Sequence, residues 1–303
     1  MLGAIIGDTV GSVYEFNNIK TTEFPFFKNN SNYTDDSIIT MAVAKWLVQD
    51  PDHKLDTLED CMVSMTQQFP CPKGGYGSGF KRWLFHPEEL YNYDEGRKSE
   101  TQTIADVLGK MAIEQEERTI KRQPYNSWGN GSAMRVSAVG WMFDTLEETE
   151  RVAKISAEIT HNHPEGIKGA QATATAIFLA RTGKSKDEIR NYISTTYGYN
   201  LASTCDEIRP VYGWEASCQG TVPEAIVAFL DSTDFESAIR LAVSLGGDSD
   251  TLACITGGIA EAFYKEISKD IAKTMWEKLP ETFKEILKSV ESRSDYCLPQ
   301  GIE

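Results

Sequence analysis

Apolar residues recur at intervals of three and four positions over most of the chain, which is the periodicity of helices with one buried face. Stretches that alternate apolar and polar residues, as half-buried strands do, are not evident. The pattern predicts helices over residues 2–16, 35–49, 55–68, 101–118, 152–160, 164–181, 221–230, 235–244, 252–260, 266–278 and 281–292. We therefore predict an all-α fold.

Two long segments rich in polar and aromatic residues interrupt this pattern. Residues 17–33 are long for a connection without structure of its own, and because such loops often act as lids we predict that they gate a site. Residues 195–222 either border a pocket or form a surface excursion. No glycine/serine linker and no internal repeat divides the chain, so we predict one compact domain over residues 1–303, with a polar tail at 294–303.

Composition excludes several classes of function. A net charge of −15 argues against nucleic acid and anionic membrane surfaces as main partners. No apolar run is long enough for a membrane helix, and the start of the chain lacks the basic residues of a signal peptide and is interrupted by Asp8. The six cysteines include no C-x-x-C pair, so zinc and redox motifs are unsupported and we expect a reducing, cytoplasmic compartment.

Several side chains with oxygen atoms lie between Gly246-Gly247 and a predicted apolar helix. The two glycines indicate a tight loop there. Asp248, Asp250 and Thr251 stand at the start of that helix, and two interpretations fit them. One is helix capping, which needs only a single side chain of this kind. The other is a hard cation such as Mg²⁺, which takes carboxylate and other oxygen ligands. This stretch alone leaves both interpretations open.

A second cluster of the same kind, Thr34-Asp35-Asp36, precedes the apolar helix predicted at 35–49. Successive helical residues point about 100° apart, so Asp35 and Asp36 suit two ions, or one ion and its water shell. Clustered carboxylates repel one another, and a bound cation removes that cost. The two clusters, near opposite ends of the chain, therefore predict one shared site for one or two divalent ions.

The motifs T-D-D-S at 34–37 and G-G-D-S-D-T at 246–251, in this order, resemble the paired metal motifs of the ADP-ribosylglycohydrolases. The resemblance covers nearly the whole chain and implies the family's compact bundle of many helices around a central dinuclear metal site. It also implies two Mg²⁺ ions, with Mn²⁺ as the alternative metal. The implied metal ligands are Thr34, Asp35, Asp36, Asp248, Asp250 and Thr251.

The predicted first helix carries glycines at positions 3, 7 and 11, a spacing that leaves a groove for another backbone. Glu15 lies at its end, where composition alone favours a solvent-exposed glutamate. The family has a similar glycine-rich opening followed by a glutamate that supplies the acid/base function. The resemblance therefore implies that role for Glu15, with Asp8 as a structural carboxylate.

A glycine-rich turn follows Lys73, and it matches neither the P-loop nor the dinucleotide-binding fingerprint. As a bare pattern it is weak, because any turn can look like this. In the family, a similar turn lies against the diphosphate of the ligand. The resemblance implies ligand contacts for Gly75, Gly77, Ser78 and Gly79.

Residues 129–135, with the sequence G-N-G-S-A-M-R, are closely similar to another stretch of the family, and the preceding Ser127-Trp128 resembles a Ser-Tyr pair of the serine-releasing branch. Trp128 either packs in the core or stacks on adenine, as the aromatic residue at this point of the family does. The resemblance implies further ligand contacts for Ser127, Gly129 and Asn130.

His161 and His163 form an H-x-H pair, but zinc is disfavoured because no third ligand is nearby. A Thr-His pair in the family implies a phosphate contact for His161.

The resemblance as a whole implies a hydrolase that cleaves the C1 glycosidic bond of the distal ribose in an ADP-ribosyl adduct and releases ADP-ribose. We name Glu15, Asp35 and Asp250 as its catalytic residues. Similarities around Glu15, Gly75–Gly77 and Ser127-Trp128 favour the serine-releasing branch. The alternatives are arginine-linked or small-molecule conjugates, another metal-dependent hydrolysis such as phosphoester cleavage, and non-catalytic ADP-ribose binding. We expect a monomer that meets an ADP-ribosylated protein or a small ADP-ribose conjugate.

Overall fold

The computed structural model describes residues 1–86 and 122–302, and it confirms the predicted all-α class. Within those ranges no strand forms, and two isolated β-bridges are the only strand-like pairings. The helix predicted around 101–118 lies outside the described residues. The helices are α1 (Leu2–Gly11), α2 (Asp35–Gln49), α3 (Leu55–Gln68), α4 (Ser78–Phe85), α5 (Gly131–Met134), α6 (Ser137–Met142), α7 (Leu146–Glu158), α8 (Pro164–Arg181), α9 (Lys186–Tyr197), α10 (Cys205–Ile208), α11 (Cys218–Asp231), α12 (Phe235–Leu245), α13 (Ser249–Tyr264), α14 (Lys269–Lys278) and α15 (Glu281–Glu291).

Helices α1 and α13 pack with their backbones in direct contact, as the glycine spacing of the first helix predicts. A Cβ atom on Gly7 would lie 1.9 Å from the carbonyl oxygen of Ala253, and one on Gly11 would lie 2.4 Å from that of Ser249. Only glycine fits at such a distance. The packing places the end of α1 beside the start of α13, and so brings Glu15 to the second acidic motif.

Asp8 fastens α1 to the start of α2. Its carboxylate accepts hydrogen bonds from the backbone N–H (2.9 Å) and hydroxyl (2.7 Å) of Thr34, and from the N–H (3.1 Å) and hydroxyl of Ser37. The side chain is fully buried. Asp8 therefore braces the first acidic motif, in agreement with the structural role expected for it.

Several predicted helix boundaries are wrong, among them the start of the helix predicted at 266–278, which begins at Lys269, and the end of the one predicted at 252–260, which continues to Tyr264. Helix α1 ends at Gly11 and not near residue 16, so Glu15 lies in a turn after the helix. Helix α7 begins at Leu146 and not near residue 152, because Thr145 caps it by accepting a hydrogen bond from Glu148 N–H. Helix α11 begins at Cys218 and not at 221, because Ser217 provides its cap.

Residues 186–197 form helix α9, which the periodicity did not predict. Ser185 and Glu188 form a capping box at its start, and Gly198 ends it in the left-handed conformation. The segment predicted as an irregular loop at 195–222 therefore overlaps the end of α9, contains the short helix α10 and closes with the start of α11.

The chain's last residues are less peripheral than their polar composition indicates. Tyr296 is fully buried, and its hydroxyl donates to Glu261 (3.2 Å) and accepts from the N–H of Leu2 (3.1 Å).

No helix within residues 1–86 and 122–302 combines the length and the apolar character needed to cross a membrane. A single domain over 1–303 stays a prediction.

Candidate active site and metal centre

Three carboxylates from the two ends of the chain meet at one point. Glu15, Asp248 and Asp250 each offer an oxygen, and these oxygens lie within 4.8 Å of one another. Both aspartates are buried, and Glu15 is partly exposed. Such a group is costly without a counter-charge, because burial and mutual repulsion both oppose ionisation.

The first acidic motif belongs to the same cluster. Thr34 caps α2 by accepting a hydrogen bond from Asp36 N–H (3.2 Å), which fixes Asp36 in the interior. Burial, followed by the charges of Asp8, Asp35 and Asp248, raises the pKa of Asp36 well above its usual range. The charges of the two motifs therefore act on one another.

The donor set fits a hard cation. The Oδ1 atom of Asp36 is buried and finds no hydrogen-bond donor among the described residues. Burial, then the charges of Asp248, Asp36 and Glu15, also raises the pKa of Asp250 well above its usual range. An oxygen-ligated divalent cation would satisfy the unpaired oxygen and remove the repulsion. The acidic cluster is thus compatible with a metal site.

Lys73 lies beside this cluster, and the sequence patterns did not single it out. Its ammonium donates to the hydroxyl of Ser12 (3.1 Å) and to the carbonyl of Asn30 (2.9 Å). Burial lowers the pKa of Lys73, while the nearby carboxylates Asp250, Asp8 and Glu15 oppose that shift. Lys73 therefore supplies a fixed positive charge and ties the glycine-rich turn to the end of α1.

The surroundings of Glu15 favour the protonated form of its carboxyl group. Burial, followed by the charge of Asp248, raises the pKa of Glu15 to about 7, while a hydrogen bond with Asp250 opposes that shift. A carboxyl group with a pKa near neutrality can both give and take a proton. Glu15 remains partly exposed, and its carboxylate faces the acidic cluster.

The glycine-rich turn lies directly against Glu15. Gly74 has φ +75°, and a Cβ atom there would lie 2.9 Å from Glu15 Oε2. Sequence reasoning missed Gly74, although its place after Lys73 in a Gly-Gly pair is a usable signal for a tight turn. A parallel bridge between Thr34 and Lys73 fixes this turn to the start of α2.

The residues predicted to follow in this turn are split between turn and helix. Gly75, with φ +82°, remains in the turn, and Gly77 is the N-cap of α4. Ser78 and Gly79 are the first two residues of α4. The first N–H groups of α4 have no partner within the helix, and this helix start follows the turn that contacts Glu15. Such a helix end suits an anion.

Asn130 contacts the acidic cluster. Its amide donates to Asp248 Oδ2 (2.7 Å) and to the hydroxyl of Thr221 (3.2 Å). The resemblance implied a ligand contact for this residue, and the structure adds a hydrogen bond that holds one carboxylate of the second motif in place.

His161 lies beneath the loop at 129–131. Cβ atoms on Gly129 and Gly131 would lie 3.5 and 3.2 Å from His161 Nε2. Its Nδ1 is 2.7 Å from the hydroxyl of Thr160. Burial, then the charge of Arg135, lowers the pKa of His161 well below its usual range, so the ring is neutral at pH 7.

Trp128 is 52% exposed, so the core-packing alternative is wrong. Its ring lies 5.4 Å from the ring of His163. Its carbonyl accepts from Cys218 N–H (2.9 Å), and Asn130 N–H donates to the carbonyl of Ala216 (2.8 Å), which joins this loop to the start of α11. About half of the indole surface is therefore open to solvent, where a planar ligand could stack.

The segment at 195–222, whose place the sequence left open, borders this site. A Cβ atom on Gly247 would lie 2.7 Å from the Tyr212 ring. Lys20 donates to the carbonyl oxygens of Tyr212 (2.7 Å) and Leu245. The ring of Trp214 stacks on Phe16. The gating role expected for 17–33 stays a prediction, and these bonds would have to break for that loop to open.

Comparison with known proteins agrees with this geometry. A family model described as ADP-ribosylglycohydrolase matches residues 1–297. The chain belongs to the ADP-ribosylglycohydrolase family. The resemblance drawn from the two metal motifs is thereby confirmed, and this glycohydrolase is a hydrolase of glycosidic bonds.

Named relatives align over most of their length. The chain is similar to ADP-ribosylhydrolase ARH3 of Mus musculus, at 25% identity over 94% of this chain and 87% of the relative. It is 24% identical to ARH3 of Homo sapiens, over 94% and 89% of the two chains. A solved structure named "ADP-ribosylglycohydrolase-related protein complex" superposes with a TM-score of 0.64, covering 95% of each chain at 19% identity, which shows a shared fold.

Proposed function

We propose that this glycohydrolase releases ADP-ribose from ADP-ribosylated substrates by hydrolysis of the C1 glycosidic bond of the distal ribose. One observation carries the proposal. The carboxylates of Glu15, Asp248 and Asp250 converge within 4.8 Å, although the two segments lie near opposite ends of the chain. That convergence joins a proton donor to an oxygen-rich cation site.

The cation site would hold two Mg²⁺ ions, with Mn²⁺ as the alternative. Bound there, a divalent ion would orient the ribose hydroxyls and a water molecule and act as a Lewis acid. The different directions of Asp35 and Asp36 at the start of α2 support two positions. The proposed ligands are Thr34, Asp35, Asp36, Asp248, Asp250 and Thr251.

Glu15 would move the protons. Its carboxylate lies within 4.8 Å of those of Asp248 and Asp250, so it is placed to protonate the departing acceptor atom and then to accept a proton from the attacking water. An oxocarbenium-like transition state is expected for such cleavage. Asp8, which accepts four hydrogen bonds, would only brace the site.

The remaining predicted residues would hold the ADP portion. The helix start at Gly77–Gly79 offers N–H groups to the diphosphate, together with Gly75, Ser127 and neutral His161. The exposed Trp128 would stack on adenine beside Gly129. Asn130 would act chiefly by holding Asp248.

Serine is the acceptor that we favour. The support is the sequence similarity around Glu15, Gly75–Gly77 and Ser127-Trp128 to the serine-releasing branch. Arginine-linked proteins and small ADP-ribose conjugates share the same metal motifs, so they are the alternatives. We also propose that the protein acts as a cytoplasmic monomer.

The test is release of free ADP-ribose from matched peptides that carry the modification on serine or on arginine. Each is measured with Mg²⁺, with a chelator, and with the Asp250→Asn and Glu15→Gln variants. We expect metal-dependent release from the serine peptide, lost with a chelator or Asp250→Asn and reduced about 10²–10⁴-fold by Glu15→Gln.

Other outcomes would redirect the assignment. Release from the arginine peptide alone would show that the enzyme cleaves the arginine linkage and not the serine linkage. AMP among the products would indicate phosphoester chemistry. Binding of ADP-ribose without release from any conjugate would leave a non-catalytic relative of the family.

A further inference from the structure

Exposed apolar side chains concentrate around the site of this protein. Among residues 1–86 and 122–302, six large apolar side chains are exposed. Four of them lie in segments that form or border the site, namely Phe16, Trp128, Val211 and Trp214. Exposed apolar side chains that lie together mark a place where a ligand or partner binds, and Phe16 and Trp214 are in contact.

Two of these side chains form a pair. The rings of Phe16 and Trp214 lie 5.7 Å apart between centroids and are nearly parallel, with an angle of 19°. Phe16 is 75% exposed and Trp214 is 56% exposed. The stack therefore leaves aromatic surface open to solvent, where a further apolar or planar group can pack.

The segment that carries Trp214 is held in place on both sides. Lys20 donates to the carbonyl of Tyr212 (2.7 Å), whose ring packs against Gly247. Glu215 accepts hydrogen bonds from the N–H groups of Ala216 (3.0 Å) and Ser217 (2.8 Å). A surface fixed before binding loses little conformational freedom when a partner arrives.

The position of Phe16 indicates which part of a substrate it meets. Phe16 follows Glu15 directly, in the turn after α1. Under the proposed function, Glu15 protonates the departing acceptor, whereas the helix start of α4, His161 and Trp128 hold the ADP portion. The stacked pair therefore lies beside the residue that would meet the departing acceptor, since Phe16 adjoins Glu15 in the chain and Trp214 stacks on Phe16.

We propose that Phe16 and Trp214 form an acceptor wall that binds the polypeptide flanking an ADP-ribosylated residue. The inference rests on the proposed function. A free amino acid or another small acceptor ends close to Glu15 and does not contact the rings of Phe16 and Trp214. A polypeptide continues past Glu15 and can cover both rings, so the wall selects ADP-ribosylated polypeptides over small conjugates that carry the same bond.

The test compares two substrates that differ only beyond the acceptor residue. One is a short peptide with a single ADP-ribosylated residue, and the other is the free ADP-ribosylated amino acid, both with the linkage that the wild type cleaves. Phe16→Ala and Trp214→Ala are expected to lower kcat/KM for the peptide about tenfold each, through KM, and to leave the free amino-acid conjugate unchanged. Phe16→Tyr and Trp214→Phe are expected to retain peptide cleavage.

The control is Val211→Ala, which shortens an exposed apolar side chain of the same segment outside the stack. An equal loss on both substrates would overturn the proposal, because the pair would then serve ADP-ribose or Glu15. An unchanged KM for the peptide would overturn it as well. If the wild type releases ADP-ribose from no conjugate of either linkage, the proposed function itself fails, an outcome distinct from the two that concern the wall.

Discussion

The side-chain amide of Asn18 joins the backbone around Glu15 to the backbone of Gly247. Its Nδ2 donates to the carbonyl oxygens of Tyr14 (2.8 Å), Glu15 (2.9 Å) and Gly247 (2.9 Å). Its Oδ1 accepts from the N–H of Gly247 (2.8 Å). One amide thus sets the distance between the proposed proton donor and the loop that carries Asp248.

We expect Asn18→Ala to lower kcat about ten- to a hundredfold with a smaller change in KM, because a displaced Glu15 affects the reaction more than binding. We expect Asn18→Asp to behave similarly, because a carboxylate cannot donate to Gly247 and adds a charge beside the acidic cluster. Steady-state kinetics on the preferred conjugate measure both. The adjacent Asn17→Ala is the control, and an equal loss there would contradict a specific role for Asn18.

Much of this site can be predicted from sequence because its chemistry is local. The two Thr/Asp clusters stand at the starts of α2 and α13. Each is a short motif that can be recognised in the sequence together with the helix that follows it. The glycine spacing of α1 likewise predicts its close packing on another backbone. Helical periodicity is enough for the fold class.

The remaining parts depend on contacts between distant segments, which periodicity does not encode. Asn18, Lys73 and Trp214 lie in irregular segments, and each acquires its role only when those segments meet. The early end of α1, which places Glu15 in a turn, is a local detail at a helix end, where prediction is least exact.

We expect the Asp250 carboxylate to lower stability when no metal is bound, although the proposed function requires it. Burial and neighbouring charges raise the pKa of Asp250 in the folded protein, so its ionisation costs stability near neutral pH when no cation is bound. In chelator at pH 7.5 we therefore expect Asp250→Asn to unfold at a higher temperature than the wild type. In Mg²⁺ we expect the wild type to gain more than the variant, because ligand binding stabilises the folded state.

Thermal unfolding with and without Mg²⁺ measures this crossover. Equal shifts in Tm for the two proteins on addition of Mg²⁺ would show that Asp250 does not bind the ion.

The exposed indole of Trp128 should contribute to nucleotide affinity. We expect Trp128→Ala to weaken ADP-ribose binding about tenfold, because stacking of an aromatic pair contributes about 1 kcal/mol, and we expect Trp128→Tyr to retain most of the affinity. Calorimetric titration with ADP-ribose measures the change. Leu55→Ala, another exposed apolar position, is the control. An unchanged Kd in Trp128→Ala would place the adenine elsewhere.

The backbone contact between α1 and α13 should tolerate no side chain. A methyl group on Gly7 would lie 1.9 Å from the carbonyl oxygen of Ala253, so the two helices would have to separate. We expect Gly7→Ala to lower the free energy of unfolding by about 3 kcal/mol or more. Urea unfolding measures this. Gly213→Ala is the matched control, since no atom lies within 4 Å of a Cβ built there, and comparable losses in the two variants would argue against the packing.

Glu224 should make stability depend on pH independently of the metal site. Burial raises the pKa of this partly exposed glutamate from 4.5 to about 7 in the folded protein. A raised pKa means that its contribution to stability is full below about pH 4.5 and is lost as the pH rises through about 7. Glu224→Gln removes this titration, so we expect the variant to be more stable than the wild type at pH 8, by roughly 1 kcal/mol after allowance for solvent screening. At pH 4.5 we expect no such gain.

Urea unfolding at the two pH values, in chelator for both proteins, isolates the Glu224 contribution, since the acidic cluster then titrates alike in each. Glu285→Gln, at an exposed glutamate of α15, controls for the change from carboxylate to amide. The interpretation fails if Glu224→Gln shifts the free energy of unfolding equally at both pH values, because a pH-independent difference would reflect packing. Destabilisation at pH 8 would mean that the carboxylate of Glu224 has a favourable partner in the folded protein.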